Sequence, residues 1–338
     1  MPFPYSILDL SPIPQGATAA DALHHSRDLA QHAERWGYTR FWLAEHHNML
    51  GNASSATAVV IAHVAGGTSS IRVGSGGIML PNHAPLIIAE QFGTLASLFP
   101  GRIDLGLGRA PGTDQLTARA LRRDLMGSDD RFPHDVLELQ QYFAADSIGQ
   151  AVRAIPGMGL EVPLWILGSS LYGAQLAAHF GLPYTFASHF APDYLLDAVR
   201  TYQAGFKPSA QLAKSHVMIG VNIVAADTDE EANYLFTSLQ QNFVRMRRNT
   251  RGQLPPPIDD ITAFCEPHEM AAIEQMLACT VVGSPSTLQA GLQDLIDRTG
   301  ANELMMTGQI FDHQARLHSF EIAAQVAQNL QVAELALG

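Results

Sequence analysis

The chain has 338 residues, of which 47% are apolar and only 15% charged, and its formal net charge is −12. That length can bury a large core, and so little charge fits a deeply buried fold. The acidic balance, with Lys207 and Lys214 as the only lysines, argues against a nucleic-acid partner and against a polybasic membrane anchor.

Cys265 and Cys279 are too few for a disulfide framework and read as buried thiols. The first positive charge is Arg27, so the start of the chain lacks a secretory leader's basic, then apolar, pattern. No apolar run approaches the roughly 18 residues of a membrane span. A cytoplasmic protein is expected.

In chain order, continuously apolar, β-rich runs predict strands at Tyr5–Leu10, Arg40–Glu45, Ile71–Leu80, Arg102–Arg109, Pro163–Gly168, Tyr184–Phe190, His216–Ala226 and Glu303–Ile310. Alanine-rich stretches between them predict helices near Ala20–Trp36, Ser55–Ala65, Leu86–Leu98, Tyr172–Phe180, Asp193–Phe206, Glu230–Arg248, Pro285–Arg298 and Gln314–Leu330. Apolar runs without alternation suit parallel strands covered on both faces. Gly37, Gly181 and Gly300 stand where helices need a left-handed C-cap, and Asp312 where the last helix needs an N-cap. Eight strands alternating with eight helices predict an α/β fold, a single (β/α)8 TIM barrel over residues 1–338. An open doubly wound sheet is the rival, but the glycine runs at Gly74–Gly77 and Gly106–Gly112 lack the dinucleotide fingerprint spacing. Two connections exceed a minimal barrel and read as insertions after strands 4 and 7: Ala110–Glu161, with mixed charge, and Thr228–Thr280, with three consecutive prolines. The first begins at a strand's C-terminal end, where long loops often serve as lids, and Ala110–Arg131 is the expected closing segment.

In a barrel the C-terminal strand ends share one mouth. Those ends carry Glu45, His46 and His47, then Ser75, Gly76 and Gly77, then Arg109, then Gly168, Ser169 and Ser170. A carboxylate beside two imidazoles suits acid–base work near neutrality. Glycines inside a strand mark a bulge or the close approach of a flat ligand. Gly168-Ser169-Ser170 opens directly onto a helix, and with Arg109 it would make an anion site of amides, hydroxyls and a guanidinium. The plain alternatives are a serine that only caps its helix and a bulge that only aids packing. His83, His189 and His313 are lesser candidates. No metal is expected, because there is no His-x-His pair and the first strand offers only Asp9. Both lysines sit at the wrong face for Schiff-base chemistry.

These stretches, read together, resemble the bacterial luciferase-like flavin monooxygenases. The likeness is carried by Phe41–His47, Arg72–Pro81, Pro100–Arg109, Gly168-Ser169-Ser170 with Ala177–Pro183, and Asp312–Phe320. Among subgroups the chain is most similar to small single-component luciferase-like oxidoreductases. The resemblance implies a barrel, an FMN site with reduced FMN as cosubstrate, dioxygen, a small-molecule substrate, a separate flavin reductase and a homodimer. It matches His46 to the family's catalytic histidine, supported by Glu45 and His47. It matches Arg109, Ser169 and Ser170 to flavin phosphate contacts, and places a non-proline cis peptide near Ser75–Gly77. The chain departs from luciferase at Gly173, where luciferase has a hydroxylated residue. Rival readings are a deazaflavin-dependent hydride-transfer oxidoreductase, a non-catalytic flavin-binding protein and a metal-dependent barrel hydrolase. The small-residue stretch Ser54–Gly67 is the expected subunit contact, or else tight packing on the barrel.

Overall fold

The apolar runs fold as parallel strands of one sheet that closes on itself. A computed structural model describes residues 3–110, 115–121, 128–145 and 149–332. Its strands are β1 (Tyr5–Asp9), β2 (Arg40–Leu43), β3 (Arg72–Met79), β4 (Ile103–Gly108), β5 (Leu164–Gly168), β6 (Tyr184–Phe186), β7 (Val217–Ala225), β8 (Thr280–Gly283) and β9 (Glu303–Thr307). Pairing runs in sequence order from β1 to β7, then from β7 to β9 and from β9 back to β1. The eight predicted strands are therefore the eight staves of the closed barrel.

The helices are α1 (Ala19–Trp36), α2 (Thr57–Ala65), α3 (Pro85–Leu98), α4 (Gln115–Leu121), α5 (Ser128–Phe143), α6 (Leu171–Phe180), α7 (Leu195–Gly205), α8 (Asp229–Arg247), α9 (Pro267–Met276), α10 (Pro285–Thr299) and α11 (His313–Ala327). Gly37, Gly181 and Gly300 close α1, α6 and α10 in the left-handed conformation. Asp312 caps α11 by accepting the Ala315 N–H at 2.8 Å. The outer face of the barrel and the inner faces of these helices form the main apolar core. None of the helices among the described residues is long and apolar enough to cross a membrane.

The two long connections hold what the helix and strand predictions left out. Helices α4 and α5 lie in the first and α9 in the second, and β8 begins at the second's last residue, Thr280. Strand β8 pairs with the far half of β7, at Asn222 to Ala225, while β6 takes the near half, at Val217 to Ile219. At nine residues, β7 overhangs the barrel enough to carry both. The expected closing segment Ala110–Arg131 lies in part outside the described residues.

Strand alternation fills the barrel in layers. At the strand starts, Arg40 binds Glu303 at 2.7 Å and Arg72 binds Asp104 at 2.7 Å, with His216 3.3 Å from Glu303. Burial alone would raise the Glu303 carboxyl; His216, Arg40 and Ser6 outweigh it and hold it below the usual glutamate range. Above this ionic floor pack Leu8, Trp42, Trp165, Met218 and Met305. Trp42 and Trp165 meet edge to face at 5.4 Å, and Arg40 lies 4.9 Å from the Trp165 ring centre. This end is plugged, so a ligand enters from the strands' C-terminal end.

Candidate active site

Higher in the barrel the inward positions on β3 and β4 are glycines: Gly74, Gly76, Gly106 and Gly108. A Cβ on Gly76 would lie 2.8 Å from Leu8 and 2.9 Å from Trp42, so the backbone here runs directly over the apolar floor. The register of β3 against β4 slips between Ser75 and Ile78, a bulge of one residue. The Gly76-Gly77 peptide within it is cis. The Ser75 hydroxyl donates to the Gly106 carbonyl at 2.8 Å and accepts the Gly106 N–H at 3.0 Å. Its side chain thus ties the bulge to β4, and Gly76 and Gly77 present bare backbone.

The residues after β2 divide in two directions. Ala44 joins the interior cluster with Trp42, whereas Glu45 lies buried against the loop that follows β3. Its Oε1 is 2.8 Å from Nε2 of both His47 and His83, and its Oε2 accepts the Met79 N–H at 3.0 Å. Burial pushes the Glu45 carboxyl up, but His83, His47 and the Met79 amide outweigh it and hold it below its ordinary value. Glu45 is therefore an ionised hub joining the loops after β2 and β3.

His46 is half-buried, and its Nδ1 is buried without a hydrogen-bond partner. Burial pushes its pKa down to about 4; Glu45 pulls upward, while Arg251 and His47 push further down. At neutral pH it is an uncharged imidazole. His189, three residues beyond β6, shares these traits. Its ring packs on Gly220, where a Cβ would lie 2.2 Å from the His189 Nδ1. That nitrogen also lacks a partner, and burial, with repulsion from His46, pushes its pKa down to about 3.

A third group lies after β4 and β5. The exposed Arg109 guanidinium sits 4.4 Å from the Tyr172 ring centre, and no carboxylate among the described residues pairs with it. Tyr172 is in the first turn of α6. Ser170 is the N-cap of that helix but makes no side-chain capping bond. The Ser170 hydroxyl thus leaves the first-turn N–H groups without a capping bond from its side chain. A Cβ on Gly173 would lie 3.5 Å from the Tyr184 ring, so the first turn of α6 rests in contact with β6. A cation over an aromatic ring, two hydroxyls and a helix N-terminus form a donor set for a phosphate.

Every residue singled out at the strand ends thus lies at this mouth. The sequence reading missed two features. His83, only a lesser candidate in the sequence, shares the Glu45 carboxylate with His47. Arg251 comes from the second insertion, whose backbone bridges to the β1 loop through Leu254 N–H to Ile13 (2.9 Å) and Gln15 N–H to Leu254 (2.8 Å). Nothing local in Arg251-Gly252-Gln253 signals that docking. His313 instead stacks on His25 at 3.9 Å and bonds Asp28 at 2.8 Å, in a separate cluster between α1 and α11.

A sequence profile of the luciferase-like monooxygenase family matches residues 1–303. A protein of Escherichia coli K12 called a luciferase-like monooxygenase is 56% identical over 326 residues, 96% of this chain and 97% of its own. The crystal structure of apo-MsnO8 superposes with a TM-score of 0.87 at 36% identity, covering 96% of this chain and 98% of that one. The oxygenating constituent of 3,6-diketocamphane monooxygenase from Pseudomonas putida, solved with FMN, shares the fold. Its TM-score is 0.76 at 15% identity, over 98% of this chain and 99% of its own.

Proposed function

The chain belongs to the luciferase-like monooxygenase family, and from that premise we propose that it uses reduced FMN and dioxygen to oxidise a small organic substrate. The observation that carries this reading is the pairing, at one mouth, of an unmet phosphate donor set with an uncharged, unpartnered imidazole. Arg109, Ser169, Ser170 and the α6 N-terminus would hold the phosphate. Gly76 and Gly77, free of side chains, would admit a flat ring beside the β3 bulge. Bound reduced FMN would supply the electrons that activate dioxygen.

The chain's own residues do the rest. His46, neutral at pH 7, takes up a proton at the buried end of the site rather than releasing one. Glu45 and His47 are positioning residues, because the carboxylate fixes the loop on which His46 stands. Leu8, Trp42, Trp165, Met218 and Met305 close the barrel below and keep water out. A separate reductase delivers the reduced flavin in this reading. Exposed Val59 on α2 and Ile87 and Leu98 on α3, two adjacent helices, support a homodimer joined through that face.

Anaerobic titration with reduced FMN and with a reduced deazaflavin tests the cofactor. Tighter binding of FMN is expected, and preference for the deazaflavin overturns the reading. Admitting oxygen then tests His46: His46→Ala keeps flavin affinity but slows substrate oxidation by about 10²–10⁴-fold. Equal turnover in the variant would remove His46 from the mechanism.

A further inference from the structure

We propose that Glu45, His47 and His83 form a binding site for one divalent transition-metal ion of the zinc class. Their donor atoms lie within 4.8 Å of one another, and this is the sole such group of three among the described residues. Two imidazoles and one carboxylate make a donor set that such ions favour, and three protein ligands leave a coordination position open.

The three residues converge because of the fold. Glu45 and His47 are two apart just beyond the end of β2, and their side chains meet. His83 arrives from the loop after β3, the strand next to β2. Met79 N–H holds Oε2 of Glu45 at 3.0 Å and thereby aims Oε1 at both histidines. An outer hydrogen bond of this kind sets a ligand's orientation before metal arrives. In the metal-free protein each Nε2 is 2.8 Å from that oxygen. Tetrahedral zinc, with bonds of about 2.0–2.2 Å, needs donor atoms roughly 3.3 Å apart. The cluster must open by about half an ångström around the ion. Both rings are partly exposed, at 14% for His47 and 26% for His83, so an ion can reach them from solvent. The Nε2 and Oε1 lone pairs would then face the ion, with each imidazole proton on Nδ1. The carboxylate cancels one of the two positive charges in a buried setting.

The test uses the full-length protein after dialysis against a chelator, without flavin. Its outcome is therefore independent of the FMN reading. Zinc is titrated against a chromophoric chelator, and cobalt serves as a spectroscopic substitute. One equivalent per chain should bind at micromolar or tighter affinity, and cobalt should show the intense visible bands of a low-coordinate site. His83→Gln and His47→Gln, checked for native circular dichroism, should each weaken binding by about 100-fold or more. His313→Gln, in the separate His25–Asp28 cluster, should leave it unchanged. Absence of micromolar binding, or binding that survives His83→Gln or disappears with His313→Gln, overturns the proposal.

Discussion

Replacing His46 by glutamine should flatten the protein's acid sensitivity by an amount that the structure sets. Burial lowers the His46 pKa from 6.5 to about 4, so the folded state resists protonation there. The unfolded chain accepts that proton at the ordinary value. Between the two values the unfolded state binds more protons, and stability falls as pH falls. Above the unfolded value the group makes no difference; below about 4 its full penalty has been reached. Each pH unit within the window is worth about 1.4 kcal/mol. Going from about pH 7 to about pH 5 crosses roughly one and a half units of it, a loss of about 2 kcal/mol through this side chain. The melting entropy of a chain this long makes that about 3 °C in Tm. Urea and thermal denaturation of both proteins at the two pH values measure the difference of differences. His46→Gln should lose about 2 kcal/mol less than the parent. If both lose stability equally, the imidazole is not desolvated, and the picture of a neutral His46 in a dry pocket is wrong.

Two further outcomes follow from charges placed around that pocket. Arg109→Gln should weaken FMN about 10–100-fold, the value of one or two charge-assisted hydrogen bonds, yet leave riboflavin affinity unchanged; an equal loss for both flavins, read by fluorescence quenching, would place the guanidinium away from the phosphate. Arg251 depresses the His46 pKa from the second insertion, so Arg251→Ala should move the imidazole's titration upward in an NMR pH series. An unchanged titration would mean that the insertion does not reach the site.

The barrel was legible because its signal is repeated and local. Uninterrupted apolar runs such as Phe41-Trp42-Leu43 leave no polar face for water, and glycines such as Gly37, Gly181 and Gly300 mark where helices between them end. Strand β8 escaped notice because Thr280-Val281-Val282-Gly283 is short and pairs only where β7 overhangs. Helix α9 escaped because its apolar side packs on α8 within an insertion rather than on the barrel. The residues proposed for the phosphate could be picked out together, since Gly168-Ser169-Ser170 and Arg109 each sit at a strand end and barrel geometry brings strand ends together. His83 and Arg251 were not readable, because their place depends on how long loops return, which no periodicity records.

Glu45-His46-His47 shows how adjacency misleads. As a sequence it reads as a single triad with a carboxylate steering the next imidazole. A strand, however, sends successive side chains to opposite sides. Trp42 and Ala44 face the barrel interior, and His46, past the strand's end, lies close enough to His189 to repel its protonated form. Phe41 and Leu43 face the helices; past the end of β2, Glu45 meets His47 and the loop after β3. The carboxylate therefore reaches across to the β3 loop and binds His83, and His46 keeps an unpartnered Nδ1. Burial is what leaves His46 neutral, and Glu45, bonded elsewhere, opposes it only through space. Had Glu45 bonded it directly, the ion pair would have opposed the effect of burial, and the imidazole would carry a proton it could not take up. The turn of the chain beyond β2 thus divides three neighbouring residues into a half-buried, neutral proton acceptor and a charged anchor for its loop.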